Sequence, residues 1–111
     1  MNIDIAEHKH CHVVTVTGRV DSFTAPKLGE ALSEVTGAGK FNIVIDFSGV
    51  DYVSSAGLRV LIDTQKVCKQ FSRGEVVLVG VSKQIYDTLE LAGFVPLFKF
   101  HDELITAVGS F

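Results

Sequence analysis

NIVIDFSGVDYVSSAGLRVLI, residues 42–62, changes from a strand pattern to a helix pattern within one short stretch and decides the fold class. With Phe41, its first part carries apolar side chains on both faces, which indicates an inner strand over 41–47 that is covered on both sides. From about Ser55 to Phe71, apolar residues recur at helical spacing. Those residues are Leu58, Leu61, Ile62 and Cys68. A buried strand that leads into a helix is typical of an α/β protein.

The segments before and after this stretch continue the same alternation. We expect strands over 2–6, 11–20 and 75–80, with a turn over 7–10 that joins the first two as a hairpin. A short edge strand is expected within 96–100. Because strands separated by helices pair in parallel through right-handed crossovers, the β-β-α-β-α-β-α-(β)-α order predicts one mixed sheet of four to five strands flanked by about four helices.

Three further helices are predicted from caps and apolar spacing. The first begins at Thr24 as N-cap, with Phe23 and Leu28 at hydrophobic-staple spacing, and ends at Gly37 or Gly39. The next runs from the Ser82 cap through Leu91, and Gly93 ends it. Its inner face is predicted to carry Ile85, Leu89 and Ala92. A small helix from about Asp102 closes the chain.

The strand ends predict where function lies. Strands ending near Val20, Phe47 and Gly80 are expected to finish at one rim, and open α/β sheets bind ligands at the carboxyl ends of their strands. The loops that this rim would bring together are Asp21–Ser22, Ser48–Ser55 and Ser82–Lys83.

Composition excludes several classes of protein. The 111 residues, 47% of them hydrophobic, fit one domain over 1–111. Ten Lys and Arg against 13 Asp and Glu give no positive patch for nucleic acid. No stretch has the character of a secretion signal or a membrane span, so we expect a cytoplasmic protein without direct membrane insertion. Two cysteines, Cys11 and Cys68, are expected to be free thiols, with Cys68 in the core.

The serine loop has two interpretations. Ser54 as N-cap would satisfy the amides of a helix start and stabilise it by about 1 kcal/mol, without any further role. However, Gly57 costs nearly 1 kcal/mol relative to alanine inside a helix, so it indicates a need for bare backbone or close approach. Free amides at a helix start also stabilise a phosphate, and a phosphoserine at Ser55 would be tolerated there.

Three segments carry a family resemblance. TVTGRVDSFTAPKL (15–28), NIVIDFSGVDYVSSAGLRVLI (42–62) and LAGF (91–94) resemble, in order, the pattern of the STAS domain family, the sulfate transporter and anti-sigma factor antagonist domains. The resemblance is greatest to the small stand-alone bacterial antagonists and spans about residues 3–108. It implies a mixed sheet of four to five strands with flanking helices, in agreement with the order derived above.

The resemblance also implies a function and a site. Members bind a GHKL-type serine kinase that acts as an anti-sigma factor, and phosphorylation of a serine on the antagonist ends the interaction. That serine lies two residues before the Gly-Leu pair, so the phosphoacceptor falls on Ser55. Where the family often has Asp immediately before it, this chain has Ser54. The implied partner-binding residues are Asp21, Ser22, Ser54, Ala56, Gly57, Leu58 and Arg59. A phosphatase is the expected second partner, and no catalytic residue, cofactor or metal is expected.

Other chemistries fit the sequence poorly. Residues 53–57 lack the first glycine of a hydrolase nucleophile elbow, and GAGK (37–40) has its helix and strand in the wrong order for a phosphate loop. His8, His10 and His12 alternate, but no carboxylate pair or second cysteine completes a metal site, and solvated turn residues are the simpler interpretation. The alternative function is a non-switching STAS subunit of a transporter-associated or stress-signalling complex, with Ser55 only part of a helix start.

Overall fold

Five strands lie in chain order across one sheet in a computed structural model that describes residues 1–70 and 73–111. Their bounds are β1 Asn2–Glu7, β2 His12–Val20, β3 Asn42–Val53, β4 Glu75–Val79 and β5 Lys99–His101. β1 is antiparallel to β2, and every later neighbour is parallel. The predicted mixed sheet with an N-terminal hairpin is therefore confirmed.

Within the described part of the chain, four helices connect or follow the strands. Their bounds are α1 Ala25–Gly37, α2 Ser55–Lys69, α3 Lys83–Leu91 and α4 Leu104–Gly109, with a 3₁₀ turn at Val95–Leu97. The predicted order of elements is confirmed. The predicted end of the second helix at Phe71 lies outside the described residues.

The sheet has a different core on each face. Strand residues such as Ile43, Ile45 and Phe47 pack against α1, α2 and α3, whereas Val44 points to the opposite face with Ala107 of α4. This division confirms the alternation predicted for the inner strand. Cys68 is fully buried in the larger core as predicted, and Cys11 is buried beneath α4. The larger core lies under α2, the helix that carries the serine loop.

A buried amide fastens α2 to the sheet. The Gln65 side chain is 5% exposed, its Nε2 donates to Val76 O at 3.1 Å and to Leu97 O at 2.7 Å, and its Oε1 accepts the Val76 N–H at 2.6 Å. Because an unpaired buried polar group costs about 1–3 kcal/mol, this saturated amide holds α2 at one position along β4.

Three predicted local details are wrong. Ala92 is exposed, because α3 ends at Leu91 and Ala92 already forms its C-cap. The predicted strand within 96–100 begins only at Lys99, since Val95–Leu97 forms a 3₁₀ turn. The inner strand does not end at Phe47, because β3 continues to Val53 by pairing with β2.

The carboxyl rim of the sheet is stepped rather than level. Val20 pairs with Val53, whereas the last residue of β4, Val79, pairs with Asp46. β2 and β3 therefore extend beyond β4 as a two-stranded tip, formed by 17–20 and 49–53. At about 3.3 Å per residue, the step from Asp46 to Val53 is roughly 20 Å. β4 therefore ends beside Ser48, the first residue of the predicted Ser48–Ser55 loop, since a Cβ at Gly80 would lie 2.8 Å from Ser48 Cβ. Val20 and Val53, by contrast, lie at the far end of the tip.

Candidate functional site

The tip ends where the serine loop starts α2. The Ser54 N–H donates to Val20 O at 2.7 Å, so the end of β2 is tied directly to the helix start. The Ser54 Oγ accepts the Gly57 N–H at 3.2 Å, which confirms Ser54 as the N-cap. The two hydroxyls of this loop thus differ, because the Ser54 oxygen is engaged by the helix that it caps.

Ser55 is the first residue of α2 and its side chain is exposed. The N–H groups of Ser55 and Ala56 belong to the first helical turn, where no backbone acceptor is within reach. Such amides, together with the helix dipole, favour a negative group near them. The geometry therefore places an accessible hydroxyl where an added phosphate is stabilised.

Gly57 lets this helix start lie directly on the tip. A Cβ at position 57 would lie 2.7 Å from Val20 Cγ1 and 2.8 Å from Val53 Cγ1, closer than real side chains approach. The sequence expectation of a close approach at Gly57 is confirmed. Leu58 is only 6% exposed and packs in the larger core. Of the implied partner-binding residues, Gly57 and Leu58 are therefore buried, and they hold the exposed start of α2 in place on the tip.

Asp21 organises the adjoining loop between β2 and α1. Its Oδ1 accepts the Phe23 N–H at 2.9 Å and the Thr24 N–H at 3.0 Å, and its own N–H donates to Thr24 Oγ1 at 2.8 Å. These hydrogen bonds, first that from the Thr24 N–H, hold the pKa of Asp21 below its usual value. The carboxylate is thus anionic and committed to the loop, while Ser22 beside it is exposed.

The predicted capping of α1 is right in position and wrong in chemistry. Thr24 is the N-cap residue, but its side chain makes no capping hydrogen bond, since its oxygen is used within the Asp21 loop. The predicted staple between Phe23 and Leu28 is wrong. Leu28 is fully buried, whereas Phe23 is 91% exposed. The spacing of Asp21 and Thr24 is typical of a turn closed by side-chain hydrogen bonds, and it was the sequence signal for the loop that replaces the staple.

Charged and aromatic groups surround the two loops. Arg59, one turn after Ser55, is exposed and has its Nε 3.7 Å from Asp63 Oδ1. On the tip, the Arg19 guanidinium stands 4.4 Å from the centre of the Tyr52 ring. Neither residue was predicted as part of the site. Tyr52 lay in the predicted Ser48–Ser55 loop, and Arg19 was placed in the predicted strand 11–20 without a strand partner at Tyr52. The sequence signal for a strand pair here was the β-branched and aromatic residues within GRV (18–20) and DYV (51–53).

The three histidines lie at the other end of the sheet. His8, His10 and His12 line a cavity of about 630 Å³ at the amino ends of β2 and β3. His12 Nε2 lies 3.6 Å from Glu7 Oε2. Within residues 1–70 and 73–111, no three of the His, Cys, Asp and Glu side chains form a group that could hold a metal ion.

Among the residues that the structure describes, none forms a helix with the length and apolar character needed to cross a bilayer.

Comparison with known proteins identifies the family. The STAS domain family model matches residues 2–107. The anti-sigma-B factor antagonist of Listeria monocytogenes is 33% identical over 100 residues, which are 89% of this chain and 87% of that protein. The anti-sigma-F factor antagonist RsfB of Mycobacterium tuberculosis is 28% identical over 109 residues, covering 97% of this chain and 89% of that protein.

A solved structure agrees with this match. The crystal structure of an anti-sigma factor antagonist from Mycobacterium paratuberculosis superposes with a TM-score of 0.87 at 27% identity, covering 98% of this chain and 92% of that one. Sequence, order of elements and sheet topology therefore lead to one assignment. This chain belongs to the STAS domain family.

Proposed function

We propose that this protein is a cytoplasmic anti-sigma factor antagonist that binds a GHKL-type serine-kinase anti-sigma factor while Ser55 is unphosphorylated. Phosphorylation of Ser55 by that kinase ends the interaction, and a phosphatase restores it. The protein is the substrate in this cycle and supplies no catalytic residue. The names of the two relatives support the general role, because both are antagonists of anti-sigma factors.

The observation that carries the proposal is the difference between the two serines. Ser55 is exposed on the first turn of α2, and the Ser54 oxygen already accepts the Gly57 N–H. A kinase can therefore reach the Ser55 hydroxyl without disturbing the cap. Asp21 and Ser22 lie on the adjoining loop, because the end of β2 is hydrogen-bonded to Ser54.

The expected effect of phosphorylation falls on docking rather than on folding. A phosphate adds about −1.5 to −2 charges at pH 7 to a surface that already carries the ionised Asp21. The free amides of α2 stabilise that charge within the protein. A partner surface shaped for a neutral hydroxyl would instead meet an added charge and bulk, and binding is lost.

The first test uses the kinase, ATP and mass spectrometry. We expect one phosphate, on Ser55, and none on Ser55→Ala. The matched control is Ser54→Ala, which should lose about 1 kcal/mol of stability with the cap and still accept the phosphate. A phosphate on Ser54 in the wild-type protein, or none at all, contradicts the proposal.

The second test measures binding by calorimetry with the kinase and ADP. Ser55→Ala should bind like the wild type, and Ser55→Asp should bind at least tenfold more weakly with an unchanged unfolding midpoint. Equal binding by both variants would instead favour the alternative of a non-switching subunit in a larger complex.

A further inference from the structure

Phe23 is an aromatic side chain held in solvent on the loop that follows β2. It is 91% exposed, although phenylalanine burial is worth roughly 1.5–3 kcal/mol. Leu91, at the end of α3, is exposed to the same extent. Isolated apolar residues on a surface are ordinary, so exposure alone assigns no role to either side chain. What distinguishes Phe23 is how it is held and where it lies.

The loop that carries Phe23 is fixed on both sides. Asp21 Oδ1 accepts the N–H groups of Phe23 and Thr24, and the Thr24 oxygen lies 2.9 Å from Arg19 O, bridging the loop to the end of β2. α1 then begins at Ala25, with Pro26 in its first turn. The backbone of Phe23 is therefore ordered before any partner arrives, which lowers the entropy cost of binding through it.

The position of Phe23 joins it to the proposed docking surface. Val20, whose carbonyl accepts the Ser54 N–H, lies three residues before Phe23. The loops of Phe23 and Ser55 therefore adjoin at the end of the tip. On these two loops, the side chains of Ser22 and Ser55 are exposed and polar. One large apolar group within a polar rim is the composition of a protein-protein hot spot.

We propose that Phe23 is the apolar anchor of this surface and inserts into an apolar pocket of the kinase-type anti-sigma factor. Asp21 is a positioning residue, which acts on the partner through Phe23. This inference rests on the proposed function. A second copy of the chain is a poorer occupant, because a two-fold interface through this surface brings Asp21 against Asp21 and one Ser55 phosphate against the other.

The test compares two equally exposed apolar residues. With the kinase and ADP, Phe23→Ser should raise Kd about 30-fold or more, as loss of a hot spot does, and Phe23→Tyr should retain most of the affinity. Leu91→Ser, the matched control, should change Kd less than twofold. Neither serine variant should lower the unfolding midpoint, since both side chains are in solvent. Wild-type affinity of Phe23→Ser, or equal weakening by Leu91→Ser, overturns the inference.

Further outcomes separate the anchor from other roles. If Phe23→Ser loses a dimer seen by sedimentation but keeps its affinity for the kinase, the ring serves a second copy and the inference fails. It also fails if Phe23→Ser chiefly lowers the unfolding midpoint. In each of these cases, wild-type binding and a phosphate on Ser55 leave the proposed function standing. If the wild type neither binds the kinase nor is phosphorylated, the proposed function fails with the inference.

The role of Asp21 has its own readout. Asp21→Ala should weaken binding in the wild-type background and have little further effect in Phe23→Ser, because both changes remove the same contact. Asp21→Asn should rescue affinity, since its amide oxygen can accept the same two N–H groups. Additive losses, or no rescue by asparagine, would show that the carboxylate contacts the partner itself.

Discussion

Gly57 is the residue that fixes the height of the serine loop above the sheet. The methyl groups of Val20 and Val53, one from each strand of the tip, occupy the space that its side chain would need. Both valines are buried, so they cannot move into solvent to make room. The stability that α2 loses by having glycine rather than alanine at this position is thus offset by close contact between the α2 backbone and the tip. Sequence predicted this need for bare backbone, but the partners of Gly57 come from two distant strands.

We predict that Gly57→Ala destabilises the protein by about 1–3 kcal/mol, because overpacking outweighs the gain of about 1 kcal/mol in helix propensity. Urea unfolding measures the change. The control is Gly37→Ala at the end of α1, where nothing lies within 4 Å of the new Cβ. That variant should be neutral or more stable. A Gly57→Ala protein as stable as the wild type would show that α2 is free to shift on the tip.

At the scale of the element, the connection from β2 to α1 shows what sequence patterns leave out. Spacing predicted where α1 begins, and Pro26 in its first turn is confirmed. It could not predict that Asp21 would claim the amides of Phe23 and Thr24 and turn Phe23 away from Leu28. The same residues are compatible with a hydrophobic staple and with a side-chain turn. Which of the two forms depends on the hydrogen bonds and packing of the folded protein.

The order of this connection should depend on acid pH. The pKa of Asp21 is lowered from 3.8, chiefly by the Thr24 N–H, so the ordering is present above that value and is lost as the pH falls through the lowered pKa. We expect the Phe23 and Thr24 amide resonances to titrate together with a midpoint below 3.8. Asp21→Asn should abolish that titration. A midpoint at or above the ordinary value would contradict the hydrogen bonding described here.

At the scale of the whole molecule, alternating strand and helix patterns were sufficient for the order of elements and the mixed sheet. Each buried strand and amphipathic helix carries its own period, so the fold class could be predicted from local sequence. The tip could not be predicted in the same way, because the polar and glycine residues in 48–53 are typical of a loop. They form a strand only because they pair with β2. The missed tip is also why the strands ending near Val20, Phe47 and Gly80 were expected to finish at one level. The strand structure of 48–53 therefore depends on long-range pairing with β2 rather than on local propensity.

The two thiols report on the integrity of both cores. Cys11 and Cys68 are free and buried, and burial raises the pKa of both, that of Cys68 to about 11. We predict almost no reaction with a disulfide reagent at pH 8 in the native protein, and two thiols per chain in concentrated urea. A Ser55→Cys variant should add one thiol that reacts at once. A rapidly reacting thiol in the wild type would contradict the packing of one core.

The stepped rim has a consequence for how such proteins diversify. The residues proposed to meet a partner lie on two short segments, 19–24 and 51–59, at a ribbon that β4 and β5 do not reach. Substitutions there can retune recognition while the central strands keep their packing. A scaffold of this shape lets the residues of the tip change with less effect on stability than changes in the central strands would have.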